Sequence, residues 1–148
     1  MGCGRCLGAC NFDAVNNRNG HANEILEAKM AEYAAAICRG RPHFHISLIV
    51  DVSPQCDCHN ENDAPILPNI GMLASVDPVA LDKACADLCN AQQPLPGTML
   101  TDNMEATGFH DHKDHFTNTA PTTSWQVALE RAEAMGLGTR ENELIRLK

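Results

Sequence analysis

Aromatic residues are scarce: one Trp, one Tyr and four Phe make up 4% of the 148 residues. With 44% hydrophobic residues overall, the core must therefore be built from Ala, Leu, Ile, Val and Met. Basic residues are also few, 11 Lys plus Arg against 19 Asp plus Glu, a formal charge of −8. That balance argues against nucleic acid, whose phosphates demand a basic face, and equally against an anionic membrane surface. It suits solubility, and also docking on a basic partner protein. No apolar run approaches the roughly 18 residues of a membrane-spanning helix, so none is predicted. The N-terminus lacks the basic, apolar and small-residue succession of a signal peptide, and a cytoplasmic protein is expected. Familiar catalytic signatures are missing too: there is no G-x-x-x-x-G-K-[ST], no G-x-S-x-G and no H-E-x-x-H.

Cysteine is what the chain has in quantity, eight residues. Without export signals these read as metal ligands or core residues rather than disulfides. Three crowd the start as Cys3-Gly-Arg-Cys6-Leu-Gly-Ala-Cys10. The spacing reproduces the last three positions of the bacterial ferredoxin run C-x2-C-x2-C-x3-C, whose thiolates hold 4Fe–4S clusters. Gly2, Gly4 and Gly8 permit the tight turns that would aim the sulfurs inward. In paired-cluster ferredoxins the last cysteine ligates the other cluster, so Cys3 and Cys6 would serve one cluster and Cys10 another. The first cysteine of the run would fall ahead of Met1, and Asn11 stands where a proline normally follows. The chain is thus expected to be a fragment that begins inside its own motif, with a 4Fe–4S cluster complete only in the intact protein.

Residues 1–20 form this Cys- and Gly-rich, ferredoxin-like head, and residues 21–148 a single α/β domain. Residues 23–39 read as an amphipathic helix with Ile25, Leu26, Met30, Tyr33 and Ile37 at helical spacing, stopped by Gly40 and Pro42. Phe44 to Val50 alternates as a strand, and Ile70 to Val76 is a second extended segment. Asp77-Pro78 opens a helix with Asp as N-cap, striped by Leu81, Ala84, Cys85 and Leu88 and ending near Asn90. Residues 91–121 show little periodicity and read as a long loop. Thr123-Ser-Trp-Gln126 is a capping-box pattern for a third helix, with Trp125, Ala128, Leu129, Ala132 and Met135 facing inward. Glu143 to Leu147 is expected to be a terminal strand. The expected fold is α/β, a small mixed sheet packed with about three main helices.

Two polar constellations follow the head. Pro54-Gln-Cys56-Asp57-Cys58-His59-Asn-Glu61-Asn-Asp63 comes directly after the clearest strand, where α/β folds place their sites. Cys56, Cys58 and His59 could hold zinc or iron, with Asp57, Glu61 and Asp63 as oxygen ligands or proton carriers. A turn whose polar side chains cap backbone groups is the alternative. Asp51 and Asp77 are further candidates for substrate or supporting contacts. His110-Asp-His112-Lys-Asp-His115 could bind a metal, natively or adventitiously. His43 and His45 share a strand face opposite Phe44, Ile46 and Leu48 and read as solvent-facing or hydrogen-bonded. Cys38, Cys85 and Cys89 read as structural, although Cys85 and Cys89, one turn apart, could share a metal.

Pro54-Gln-Cys56-Asp-Cys58, Asp63-Ala-Pro65-Ile, Asn69-Ile-Gly71-Met-Leu-Ala-Ser75 and Asp77-Pro-Val-Ala-Leu-Asp82 together resemble the Fe–S-centre proteins called domain of unknown function 362. Ala31-Glu-Tyr33-Ala fits the preceding helix, and Gly136-Leu-Gly138 with Arg140-Glu141 the family's ending. The resemblance implies a ferredoxin-type cluster in the intact protein and a Cys-Asp-Cys loop, but no reaction. Asn69 stands where the family would have Asp, and Cys38, Cys85 and Cys89 match none of its motifs. The leading expectation is an iron–sulfur redox protein with a redox partner. A metal-dependent enzyme built on the Cys56–His59 loop and a binding or assembly module without its own chemistry are the alternatives.

Overall fold

The computed structural model describes residues 22–56, 62–107 and 114–147. Among them are five helices and a two-stranded antiparallel sheet, so the α/β class expected from the sequence holds. The first helix, α1 (Ala22–Cys38), carries Glu24 in its first turn, where a carboxylate favours the helix dipole. Gly40, at φ 72°, then reverses the chain, a conformation that costs a side-chain-bearing residue and not glycine. Strands β1 (His45–Ile49) and β2 (Gly71–Ser75) pair with Ile46 opposite Ala74 and Leu48 opposite Met72.

Helix α2 (Pro78–Asn90) begins as the sequence predicts. Asp77 is its N-cap and accepts from the backbone N–H groups of Val79 at 2.9 Å and Ala80 at 3.0 Å. Its other carboxylate oxygen accepts from the N–H of Thr139 at 2.9 Å, tying the C-terminal stretch to the helix start. Helices α3 (Met99–Thr107) and α4 (His115–Thr119) follow, and α5 (Trp125–Ala134) closes the order.

Two clusters make the core. Ile49, Ile66, Leu67, Cys89, Leu100 and Met104 fill the space between sheet, α2 and α3. Ala31, Val79, Leu129 and Ala132 join α1, α2 and α5. Helices α1 and α5 run side by side in the same direction: Asn23 reaches Thr122 near their starts, and Glu32 pairs with Arg131 further along.

Several expectations are corrected. The large apolar residues of α1 face outward: Met30 is 60% exposed, Tyr33 72% and Ile37 63%, while Ala31 and Ala35 are buried. Small residues let the two helix backbones approach closely, and that contact decides the inward face. The sheet's outer face is likewise apolar, with Phe44, Ile46, Leu48 and Met72 exposed. Residues 91–121, read as loop, contain α3 and α4. Residues 143–147 pair with no strand, and α5 is capped at Ser124 without a side-chain hydrogen bond, so the capping box does not form.

One prediction arises at the Asp77 tie. A Cβ on Gly138 would lie 1.9 Å from Asp77 Oδ1 and 2.5 Å from its Cγ. Gly138→Ala must push that carboxylate off its backbone donors. The expected cost is about 1–2 kcal/mol, roughly that of a lost N-cap with its neighbouring hydrogen bond. Urea unfolding should show a lower midpoint with an unchanged slope.

Candidate metal centre

Cys38 is the last residue of α1, and the helix closes there with the N–H of Arg41 donating to the Cys38 carbonyl at 3.1 Å. The Gly40 reversal sends the chain back beside the helix end, and Pro42 delivers it in extended form to β1. His43 and His45 flank Phe44, so the two-residue period of an extended chain aims both imidazoles to the side away from exposed Phe44. Their rings meet edge to face with centroids 5.0 Å apart, and His43 Nδ1 lies 2.9 Å from His45 Nε2. The Cys38 sulfur completes the group, the three ligand atoms lying within 4.8 Å of one another. Cys38, at 9% exposure, is nearly buried, and both histidines are half-buried. Such a group could hold a metal ion.

Behind β1, helix α2 presents Asp82, Cys85 and Cys89. Burial pushes the Asp82 carboxyl up, and the nearby His45 charge pulls it partly back. Burial also raises the Cys85 thiol; the Ser47 hydrogen bond opposes the rise and the Asp82 charge adds to it. Cys89 is pushed up to about 11, by burial first and then by Cys85. Both thiols therefore stay protonated at neutral pH in the absence of metal, and among the described residues neither belongs to a group of three or more potential ligands.

A cavity of about 480 Å³ opens beside the group, lined by Cys38 and His43 and, across from them, by Met135 and Leu137. Its charged lining residues are Arg39 and Arg41.

Of the other residues singled out from the sequence, the described ones do not join this group. Cys3, Cys6, Cys10, Asp57, Cys58, His59, His110 and His112 lie outside the described residues. Cys56 is exposed, in the segment that leaves the far end of β1 from His43 and His45. Asp51, at φ 48°, sits in the left-handed region, and its N–H donates to the Asn69 side-chain oxygen at 2.8 Å. Asn69 thus holds the turn by an acceptor that an aspartate would also supply. Asp63 caps its own turn by accepting from the Ala64 N–H at 2.7 Å. Asp77 is committed to the start of α2. His115 is 1% exposed, with Nε2 2.8 Å from the Gln92 carbonyl, so it is a core residue of α4. His43 and His45 are hydrogen-bonded, as expected, but to each other. Sequence reasoning treated Cys38 and these histidines separately; the signal that joins them is the Gly40–Pro42 reversal between a helix end and a strand start.

Fold and site define a small α/β protein with a cysteine–histidine group able to take a metal. The family model described as Domain of unknown function (DUF362) matches residues 1–87. The chain belongs to that family. No curated protein and no solved structure matches it. The matched segment contains the cysteine head, the Cys38–His43–His45 group and the Cys56–His59 loop.

Proposed function

We propose that the chain is the α/β part of an iron–sulfur redox protein that passes single electrons to a partner protein in the reducing cytoplasm. The observation that carries this reading is the Cys3, Cys6 and Cys10 spacing, inside the segment that matches the family. The donor set fits in kind: thiolates are the soft ligands that a 4Fe–4S cluster requires, with Cys3 and Cys6 serving one cluster, Cys10 another, and further ligands completing each. The cluster would supply one-electron transfer. The charge of −8 suits docking on a basic redox partner. Among the described residues no helix is long and apolar enough to cross a membrane.

The test is iron and acid-labile sulfide content, with electron paramagnetic resonance after reduction, on the intact protein purified anaerobically without a histidine tag. Iron and sulfide in matching amounts are expected. Replacing Cys3 and Cys6 by serine should remove both, along with the visible absorption. An intact protein that takes up neither after anaerobic reconstitution, or a double variant that keeps its cluster, overturns the reading.

A second reading is a metal-dependent enzyme with Cys56, Cys58 and His59 as ligands and Asp57 or Asp63 moving protons. It is favoured by the exposure of Cys56 in the segment that follows β1. Metal retained without the head cysteines and lost on replacing Cys56 or Cys58 would establish it.

A further inference from the structure

We infer that Cys38, His43 and His45 form a three-ligand site for a zinc-class divalent ion, whose fourth position faces the Arg39- and Arg41-lined cavity and takes a small oxyanion. The inference is independent of the iron–sulfur reading and uses none of the head cysteines.

The donor set comes first. One thiolate with two imidazoles is the borderline-soft mixture that zinc prefers, and three protein ligands with one open position is the pattern of zinc sites that bind or activate a small molecule. Geometry comes next. With Zn–S near 2.3 Å and Zn–N near 2.0–2.1 Å, the edges of a tetrahedral site measure about 3.3–3.6 Å. The two imidazole nitrogens are 2.9 Å apart, and no pair in the group exceeds 4.8 Å. Closing on an ion therefore requires side-chain adjustments of about 1 Å and no backbone change. On binding, the ring that donates the N–H between them would carry that proton on its other nitrogen instead, leaving both facing nitrogens free as ligands. Cys38 and His45 are fixed at a helix end and a strand start, so the site is built on regular elements rather than on a free loop.

Surroundings fit the same role. On the cavity side Cys38 and His43 share the wall with Arg39 and Arg41, which are exposed and bring positive charge to a chain that is otherwise strongly acidic. No carboxylate among the described residues lines that cavity. Two arginines on the same cavity wall favour an anion whose oxygens can meet guanidinium groups.

The experiment uses Co²⁺ as the probe on the full chain, stripped of metal and free of a histidine tag. Expected are one equivalent bound with a thiolate-to-cobalt charge-transfer band, tetrahedral ligand-field bands, and displacement by Zn²⁺. Cys38→Ser should abolish the charge-transfer band, and His43→Gln should weaken Co²⁺ binding about 10-fold or more. Serine variants of Cys3, Cys6 and Cys10, or of Cys56 and Cys58, should keep the band. Inorganic phosphate should shift the ligand-field bands of the parent chain, and much less those of the Arg39→Ala, Arg41→Ala variant. Circular dichroism establishes that each variant is folded. No Co²⁺ bound by the parent chain, a band that survives Cys38→Ser, or a band lost with the head or loop cysteines overturns the site. Ligand-field bands indifferent to phosphate overturn its oxyanion position. Iron and sulfide content is unaffected by Cys38→Ser if both readings hold, so each can fail alone.

Discussion

Asp114→Ala is expected to lower the unfolding free energy by about 2–3 kcal/mol, from a lost cap plus charged hydrogen bonds that do not add in full. This one carboxylate joins two helices. It caps α4 by accepting from the Thr117 N–H at 3.1 Å and from the Thr117 hydroxyl at 2.7 Å. It also accepts from the Trp125 indole N–H at 3.1 Å and the Gln126 amide at 3.1 Å, which fixes the start of α5. Truncation leaves the half-buried indole donor without this acceptor. Asp114→Asn keeps an acceptor at the cap and should cost about half as much, since charge-assisted bonds are roughly twice as strong as neutral ones.

The same carboxylate makes stability depend on pH. Burial pushes the Asp114 carboxyl up, but the hydrogen bonds from Thr117, Gln126 and Trp125 outweigh burial and hold it below the usual carboxylate range. Its folded-state pKa is therefore depressed, so its contribution is complete above the unfolded value of about 3.9 and is lost as pH falls through the lower folded value. Glu32 and Glu133 are also held low, by hydrogen bonds from Lys29 and Arg131 and from Arg140 respectively, so acid destabilises the parent chain through several groups. The informative quantity is the difference between parent and Asp114→Ala in urea unfolding across a pH series. It should be constant at neutral pH and shrink below pH of about 4. A difference that does not change with pH would mean that the charge on Asp114 contributes nothing. The consequence reaches the candidate centre, because α5 lies along α1 and the residues just beyond it line the Cys38 cavity.

Sequence reading succeeded where a local rule decides structure. Asp77-Pro78 starts a helix whatever surrounds it, and the alternation around His45–Ile49 specifies a strand. It failed where the decision belongs to packing. Periodicity shows that α1 has an apolar stripe but not whether that stripe or the alanine face turns inward. Here Ala31 and Ala35 win, because α5 meets them closely. Helix α3 was illegible because its inward residues are only Leu100 and Met104, four apart in a polar segment. Helix α4 has no apolar period at all and is held by the Asp114 cap and the bonds of buried His115. The metal group was hidden for a related reason: Cys38 belongs to a helix and the histidines to the approach to a strand, and neither element alone suggests ligands. The Cys3–Cys10 head, by contrast, is legible from spacing alone and lies outside the described residues.

Leu100→Ala is expected to carry the largest single cost, about 3–5 kcal/mol, and its comparison with Tyr33→Ala tests the inverted pattern directly. Leu100 has 0% exposure and lies in the cluster with Ile49, Ile66, Leu67, Cys89 and Met104. Its removal forfeits the transfer energy of the lost carbons and opens a cavity that elements α2, α3 and β1 can collapse only partly. A folding stability of about 5–15 kcal/mol makes such a loss a large share of the total. Tyr33 is the larger side chain and sits in the stripe that the sequence alone would place inside, yet it is 72% exposed. Truncating it should change stability by no more than about 0.5 kcal/mol. Chemical denaturation of the two variants at one pH decides the matter. Comparable losses would mean that in solution the α1 stripe is covered as fully as Leu100, and that the alanine face is not what joins α1 to α5. A loss confined to Leu100→Ala would establish that the core lies between α2, α3 and the sheet, with Cys38 held at the edge of a helix anchored by its small residues.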